Sequence, residues 1–287
     1  MDNNVNLHKN NINWYPGHMA KAKRKIAEVL PLIDVVVELI DSRLPVSSRN
    51  PDFEELFRNK PSVAVFTKSS LADVKRTSVF VDELKASGRE AIILDCKENP
   101  DMKRVTAAIR SSVSEKLRRN EEKGVNKPVR CLVAGITNVG KSTFINTYTK
   151  TKKAKAEDRP GVTRENSWIT SPYGVELLDT PGLLWPKFED ESVGIKLASI
   201  GSIKDDILDI NELACGTIGI IRASYTPELE KRYKITVSDE DSDYDVLEKI
   251  GKSRGFLISR GEIDLDRTSA VMLDEFRGGK IGKMTLD

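Results

Sequence analysis

The chain has 287 residues, of which 39% are apolar and 31% charged, and its formal net charge is +2. This composition is typical of a soluble globular protein with room for two domains, and the near-neutral balance favours no class of partner. The three cysteines form no CxxC pair and there are two histidines, which excludes a disulfide framework and a histidine-rich metal site. No apolar stretch approaches the roughly 18 residues of a membrane helix. The polar N-terminus lacks the apolar core of a signal peptide, so we expect a cytoplasmic protein.

Strand and helix signals alternate through the first part of the sequence. A basic amphipathic helix is predicted over residues 19–30. Apolar runs then predict strands at 34–40, 62–66, 91–94 and 129–134. Helical stretches lie between them, at 53–58, 78–87 and 102–123. This alternation indicates an α/β fold with a parallel sheet, and two further strands, 167–171 and 175–178, predict a hairpin at its edge.

Strand signals fade after Pro186, and the remaining sequence predicts amphipathic helices. They are expected at 193–203, 207–215, 227–233, 245–251 and 269–277. We therefore expect an α/β domain over residues 1–187 and a smaller all-α domain over 188–287.

A phosphate-binding loop is the strongest motif in the sequence. Residues 135–143 read GITNVGKST and satisfy the G-x-x-x-x-G-K-[ST] pattern between a predicted strand and a predicted helix. Glycines let successive backbone amides point at phosphate oxygens, and the helix N-terminus adds positive potential. Lys141 is expected to reach the β- and γ-phosphates, and Ser142 to ligate Mg²⁺. The nucleotide-binding residues predicted in this loop are Asn138, Val139, Gly140, Lys141, Ser142 and Thr143.

Two downstream segments supply the switch residues of such a site. Asp179-Thr180-Pro181-Gly182 ends a predicted strand, where Asp179 is expected to hold Mg²⁺ and the Gly182 amide to sense the γ-phosphate. Between the loop and this strand, Thr163 is a candidate to close over Mg²⁺. Together these motifs predict a P-loop GTPase-type sheet.

The base-recognition segment comes before the phosphate loop and is altered. GTPases read guanine with Asn-Lys-x-Asp after a strand, and the nearest match is Thr67-Lys68-Ser69-Ser70. Asp95-Cys96-Lys97 is the predicted second base-side loop. The motif order is therefore circularly permuted, with the base-binding half first. Ser70 offers one hydroxyl where a carboxylate accepts two charge-assisted bonds, each worth about 1.5–3 kcal/mol. We predict weakened discrimination of GTP from ATP, with Asp73 as a possible substitute carboxylate.

The chain resembles the YlqF/RbgA-type circularly permuted GTPases of ribosome assembly. The matching segments are WYPGHMAK from Trp14, ELIDSRLPVSSRNP from Glu38, GITNVGKST from Gly135, DRPGVT from Asp158 and LLDTPGLLWPKFED from Leu177. The resemblance implies a GTPase domain, a helical domain that contacts rRNA, and action on a precursor of the large ribosomal subunit. No membrane or DNA partner is expected.

The resemblance also assigns two further roles. Leu183 and Leu184 stand where many GTPases carry a glutamine that orients the attacking water. In this family the histidine of the WxPGHM motif is implicated in hydrolysis, which makes His18 the catalytic candidate beside Lys141. Asn138 resembles the asparagine with which potassium-stimulated GTPases hold K⁺.

Two functions from different classes fit the sequence. The first is a GTP-hydrolysing assembly factor released from the precursor particle on hydrolysis. The second is an RNA-binding assembly factor with relaxed base specificity and little hydrolysis, which Thr67 and Ser70 keep open. A metabolic kinase is disfavoured, because DTPG-type switches suit conformational signalling better than a small-molecule pocket.

Overall fold

A computed structural model describes residues 17–98, 100–151, 167–185, 188 and 190–287. The chain divides into two compact units, one extending to Lys187 and one running from Phe188 to Leu286. Asp287 is grouped with the first unit. Within the described parts of the chain, no helix is long and apolar enough to cross a membrane.

The described part of the first unit is built on one six-stranded sheet. Its strands are β1 (Val35–Asp41), β2 (Ser62–Thr67), β3 (Glu90–Ile93), β4 (Val129–Gly135), β5 (Ser167–Thr170) and β6 (Val175–Asp179). Their order across the sheet is β3-β2-β1-β4-β6-β5. All neighbouring strands are parallel except β5, which pairs antiparallel with β6 at the edge. The predicted parallel sheet with an edge hairpin is confirmed.

Helices connect these strands. They are α1 (Gly17–Val29), α2 (Asp52–Phe57), α3 (Val74–Ala86), α4 (Met102–Ser112), α5 (Ser114–Glu122) and α6 (Lys141–Thr149). The sequence predicted α4 and α5 as one helix over 102–123. The chain instead breaks at Val113, whose φ of −121° and ψ of 19° leave the helical region. This side chain is buried, so packing overrides the continuous helical pattern.

The sheet core explains the apolar sequence of the strands. All seven residues of β1 are buried, as expected for a central parallel strand covered on both faces. On one face, Ile40 and Phe66 pack in a cluster with Val81 of α3. The charged Glu38 inside β1 is compensated by Arg89, whose Nη2 lies 2.5 Å from Glu38 Oε2. The sheet is therefore a well-packed support for the loops that leave it.

The described part of the second unit is helical. It contains α7 (Glu191–Ser199), α8 (Ile210–Tyr233), α9 (Asp243–Arg254) and α10 (Leu265–Arg277). Two separate helices predicted over 207–215 and 227–233 are one element, α8, which is kinked at Tyr225 (φ −136°, ψ 31°) just before Pro227. The Tyr225 hydroxyl anchors the kink, since it donates to Thr285 O (3.1 Å) and accepts from Thr285 N (3.0 Å). The predicted α/β-plus-helical fold class is confirmed by this architecture.

The topology decides where a site can form. Because β2, β3, β4 and β6 run in the same direction, the loops after their carboxyl ends leave one edge of the sheet. Both predicted base-side segments, the phosphate loop and the DTPG segment follow these ends. The fold thus brings to one edge of the sheet motifs that lie far apart in the sequence.

Candidate nucleotide-binding site

The phosphate loop turns between β4 and α6 in the way that an anion cradle requires. Asn138 and Gly140 both have positive φ, 55° and 103°, and the loop enters α6 at Lys141. Ser142 and Thr143, both half-buried, lie in the first turn of this helix, and Val139 is buried. Unpaired amides at a helix N-terminus that follows a left-handed turn attract anions.

Lys141 is a buried cation within this loop. Its Nζ donates hydrogen bonds to Gly135 O at 3.2 Å and to Ile136 O at 2.5 Å. Burial lowers the pKa of Lys141 to about 8, with Lys68 adding repulsion and Asp179 opposing the shift. The group therefore stays charged at neutral pH and would gain strongly from an anionic ligand.

Asp179 ends β6 beside the phosphate loop. Burial raises the pKa of this carboxyl, while Lys141 and the Thr180 amide work in the opposite direction. Its Oδ1 is buried and accepts no hydrogen bond from any residue that the structure describes, which is costly unless a ligand or cation satisfies it. The neighbouring Thr180 is fixed by a 2.7 Å bond from Oγ1 to Val133 O.

Gly182 packs closely against the backbone of the phosphate loop. A Cβ at this position would stand 2.7 Å from Thr137 Cα and 2.8 Å from Lys141 Nζ. The next residue, Leu183, donates its N–H to Gly135 O at 3.2 Å. Both Leu183 and Leu184 are buried, so neither side chain replaces a water-orienting glutamine. The DTPG segment is thus in direct contact with the loop.

The base-side segment is tied to the same loop by Thr67 and Lys68. The buried Thr67 Oγ1 lies 2.7 Å from Val139 O and 3.1 Å from Ile40 O, both acceptors for its single proton. Lys68, in the left-handed conformation, donates from Nζ to Asn138 O at 2.5 Å. Two side chains from the end of β2 therefore hold the phosphate loop.

Behind them lies a buried ionic cluster that the sequence did not reveal as part of the site. Asp41, fully buried at the end of β1, binds Arg43 Nε (2.9 Å) and Nη2 (2.8 Å) and lies 3.0 Å from Lys68 Nζ. Burial alone would raise the pKa of Asp41, but Arg43 and Lys68 outweigh it and hold that pKa well below its usual range. An Asp-x-Arg pair at the end of an apolar strand was the available signal.

The second base-side loop meets the first through a carboxylate. Asp95 Oδ2 accepts hydrogen bonds from Ser70 Oγ at 2.6 Å and from Ser70 N at 3.1 Å. The other candidate carboxylate, Asp73, is instead the N-cap of α3 and accepts from Lys75 N at 3.0 Å. The carboxylate that touches the altered tetrad therefore comes from Asp95.

The remaining residues of these two loops are less engaged. Ser69 is half-buried in the short turn after Lys68, and Lys97 is exposed. Burial, aided by Asp95, raises the pKa of the Cys96 thiol to about 12, so this thiol is neutral. Cys96 O accepts from Thr147 Oγ1 of α6 at 3.5 Å. The loop is thus joined to the helix that follows the phosphate loop.

Two predicted site residues lie outside what the structure describes. His18 belongs to α1, but its side chain is not among the described groups, and Thr163 lies in the segment 152–166. Among the described residues, no group of three or more His, Cys, Asp or Glu side chains could hold a metal ion. Magnesium ions that accompany nucleotides are usually held by one or two protein side chains together with ligand phosphates and water.

The chain is similar to characterised proteins over nearly its whole length. A family model described as 50S ribosome-binding GTPase matches residues 130–242. Ribosome biogenesis GTPase A of Bacillus cereus is 45% identical, and the alignment covers 96% of this chain and 93% of that protein. Its namesake in Priestia megaterium is 44% identical, with 96% of each chain covered.

Solved structures agree at the level of the fold. GNP-bound YlqF from T. maritima aligns with a TM-score of 0.63 and 24% identity, over 93% of this chain and 97% of that one. GDP-bound YlqF gives a TM-score of 0.66 at the same 24% identity, over 92% of this chain and 98% of that one. The Bacillus and Priestia alignments, which leave out little of either chain, decide the relationship. The chain belongs to the ribosome biogenesis GTPase A family.

Proposed function

We propose that this protein is a GTPase that binds a precursor of the large ribosomal subunit in the cytoplasm and is released from it when GTP is hydrolysed. The relatives' names and the family model support a GTPase of ribosome biogenesis. The single observation that carries the enzymatic part is the contact between the phosphate loop and the DTPG segment. There a buried cation, Lys141, and a buried carboxylate, Asp179, lie beside an anion cradle.

The groups of the cradle itself would bind the triphosphate. Loop amides and the start of α6 would surround the phosphates, and Lys141 would leave the carbonyls of Gly135 and Ile136 to reach the β- and γ-oxygens. Because Gly182 already lies against Thr137 and Lys141, a γ-phosphate entering there would meet its amide. Loss of that phosphate would release the DTPG segment, which is how hydrolysis becomes a conformational signal.

The residues present fit Mg²⁺. Asp179 Oδ1 is buried and has no hydrogen-bond partner within the described part of the chain, and a hard cation would satisfy it. Asp179 and Ser142 would hold the ion with the phosphates, and Thr163 would complete the shell. Bound Mg²⁺ would neutralise charge on the phosphate oxygens. We further propose that the Asn138 side chain holds K⁺, so replacing K⁺ by Na⁺ should slow hydrolysis.

Water activation needs a residue from outside the DTPG segment. The side chains of Leu183 and Leu184 are buried and apolar, so neither accepts a proton or orients water. We assign this role to His18, because a neutral imidazole can accept a hydrogen bond from water. His18→Ala should abolish stimulation of turnover by large subunits while leaving nucleotide affinity intact. Unchanged stimulated turnover would contradict the assignment.

Contact with rRNA is proposed for exposed basic groups. Two basic side chains of the helical unit are paired with carboxylates. Lys249 lies 2.5 Å from Asp241, and Arg254 lies 3.1 Å from Glu275. Lys252 and Arg260 are exposed and are better candidates for phosphate contacts. The helical unit would then be the ribosome-binding domain and the sheet unit the GTPase domain.

The decisive experiment is GTP turnover with and without purified large subunits. Wild-type protein should show turnover that the subunits increase. Lys141→Ala should lose about 10²–10³-fold in rate, the effect of removing one preorganised charge from a developing anion. Lys75→Ala, at an exposed position on α3, is the matched control and should behave like wild type. Equal rates for wild type and Lys141→Ala would overturn the proposal.

A second candidate function rests on the altered tetrad. With Thr67 and Ser70 in place of Asn and Asp, the chain would act as a nucleotide-binding and RNA-binding assembly factor with relaxed base specificity and little hydrolysis. Tight binding to large subunits without stimulated turnover would favour this function over the first.

A further inference from the structure

The base-side edge of the site contains a carboxylate where the sequence pattern shows none. Ser70 occupies the tetrad position that normally carries Asp, and Asp95 comes from the next loop. Their separation is 2.6 Å between Ser70 Oγ and Asp95 Oδ2. The pairing follows from the sheet, since β2 and β3 are parallel neighbours and Leu94 N donates to Phe66 O at 2.8 Å. The ends of the two strands are therefore held side by side.

Asp95 fixes the direction of the Ser70 hydroxyl proton. Burial would raise the pKa of Asp95, but bonds from Ser70 and from the amides of Lys97 (2.8 Å) and Glu98 (3.0 Å) hold it below its ordinary value. An ionised carboxylate has acceptors and no donor. The single Ser70 proton must therefore point at Asp95, and the lone pairs of Ser70 Oγ face elsewhere as acceptors.

Guanine and adenine differ in what they offer to such an acceptor. Guanine presents N1–H and an exocyclic amine side by side, both donors, whereas adenine presents a lone pair at N1. A hydroxyl free to rotate serves either base, since it can donate or accept. A hydroxyl whose proton is already committed can only accept, so it favours guanine. Its polarisation by a carboxylate strengthens the bonds that it accepts.

We propose that Ser70 Oγ, with its proton held by Asp95, is the group that distinguishes guanine from adenine in this site. Asp95 acts through Ser70 and is a positioning residue that supplies, from the second loop, the negative charge absent from the tetrad. The proposal rests on the proposed function, because it assumes that a purine nucleotide occupies the cradle. The preference is weaker than an intact Asn-Lys-x-Asp gives, because a polarised hydroxyl replaces a carboxylate.

Neighbouring contacts keep this pair in register with the phosphates. Thr67 Oγ1 binds Val139 O at 2.7 Å, and Lys68 Nζ binds Asn138 O at 2.5 Å. Ser70 thus follows two residues that grip the phosphate loop. A base attached to phosphates in that loop would approach the Ser70 edge in one orientation, which is what discrimination by a single oxygen requires.

The test is calorimetric titration of the purified full chain with GDP and with ADP. Wild-type protein should prefer GDP. Ser70→Ala should lower GDP affinity about tenfold, the effect of leaving one buried hydrogen-bond donor of the base unsatisfied, and should leave ADP affinity nearly unchanged. Asp95→Asn removes the charge that holds the hydroxyl proton, so the GDP-over-ADP ratio should fall mainly because ADP affinity rises. Glu98→Gln, an exposed carboxylate in the same loop, is the matched control and should keep the wild-type ratio.

A double variant that exchanges the two side chains tests whether Asp95 positions Ser70 or only supports the structure of the loop. Ser70→Asp combined with Asp95→Ser moves the carboxylate to the tetrad position and keeps a hydroxyl opposite it. The GDP-over-ADP ratio should return to the wild-type value or exceed it. If Ser70→Ala keeps the ratio while Asp95→Asn loses it, Asp95 reads the base directly and the proposal is wrong.

Two other results have different meanings. GDP binding with a ratio that both single variants leave unchanged overturns this inference and leaves the proposed function standing. Failure of wild-type protein to bind any purine nucleotide overturns the proposed function itself. Thermal unfolding of each variant, with a midpoint near that of wild type, confirms that the comparison is made between folded proteins.

Discussion

The two halves of the site are built by different means. The phosphate half, after β4 and β6, is proposed to bind through backbone amides, a left-handed Gly140 and one lysine, in a pattern that the sequence shows in full. The base half, after β2 and β3, uses side chains from separate loops, and its acidic group comes from Asp95. Backbone amides that bind a ligand are tied to one loop of the chain. A side chain with the same function can come from another loop, provided that both loops meet in space.

Mutations in the base half should lower the stability of the protein more than mutations in the phosphate half. Asp41→Asn removes the buried carboxylate shared by Arg43 and Lys68. Breaking a buried ion pair from one side costs about 3–5 kcal/mol. We therefore expect the free energy of unfolding, from urea denaturation, to fall by that amount. Asp82→Asn, at an exposed position, should change it little. A similar small change for Asp41→Asn would show that the cluster does not hold this half together.

The contacts within the fold and the site show what the sequence could and could not predict. The positions of the strands and the phosphate-loop motif follow from local patterns, apolar runs and glycine spacing, and these were predicted. The bond between Ser70 and Asp95 joins positions 25 residues apart, and no local pattern contains it. The single helix α8 was missed for a related reason. Pro227 signals a helix break, but the bonds between Tyr225 and Thr285 stabilise a kink and the helix continues.

Mutations in the phosphate half should change the geometry of the site more than the stability of the protein. Gly182→Ala would place a Cβ 2.7 Å from Thr137 Cα, which is backbone and cannot rotate away. The DTPG segment must then shift, and a displacement of about 1 Å can cost about a hundredfold in rate. GTP turnover should fall by that factor, while GDP affinity changes less because GDP lacks the γ-phosphate.

A control on a second glycine separates geometry from flexibility. Gly124→Ala introduces a Cβ at a positive-φ position with open space around it. Stability should decrease slightly, and turnover should stay at the wild-type rate. If Gly182→Ala also keeps wild-type turnover, the close approach of the two segments has no role in hydrolysis.

The smallest expected effect concerns the charge on Lys141. Its pKa in the folded protein is about 8, below the ordinary value of 10.5, because burial disfavours the cation. Bound phosphates favour the cation and raise that pKa, so nucleotide binding takes up a proton above pH 8. Affinity for GDP should therefore decrease as pH rises, by about tenfold between pH 7 and pH 9.

Lys141→Arg isolates this contribution, since arginine stays charged throughout the range. Any titration of the guanine base affects both proteins equally, so the difference between their pH profiles belongs to Lys141. Stability without nucleotide should change with pH in the opposite direction, because here the folded state is the one with the lowered pKa. Between pH 8 and 10.5 the unfolded chain binds more protons at this residue, so unfolding free energy should rise with pH there. Parallel affinity profiles for wild type and Lys141→Arg would mean that the lysine is not desolvated before the nucleotide binds. The two halves would then no longer differ in their electrostatics. The phosphate half would contain an ordinary solvated cation and not a buried cation that is ready to bind an anion.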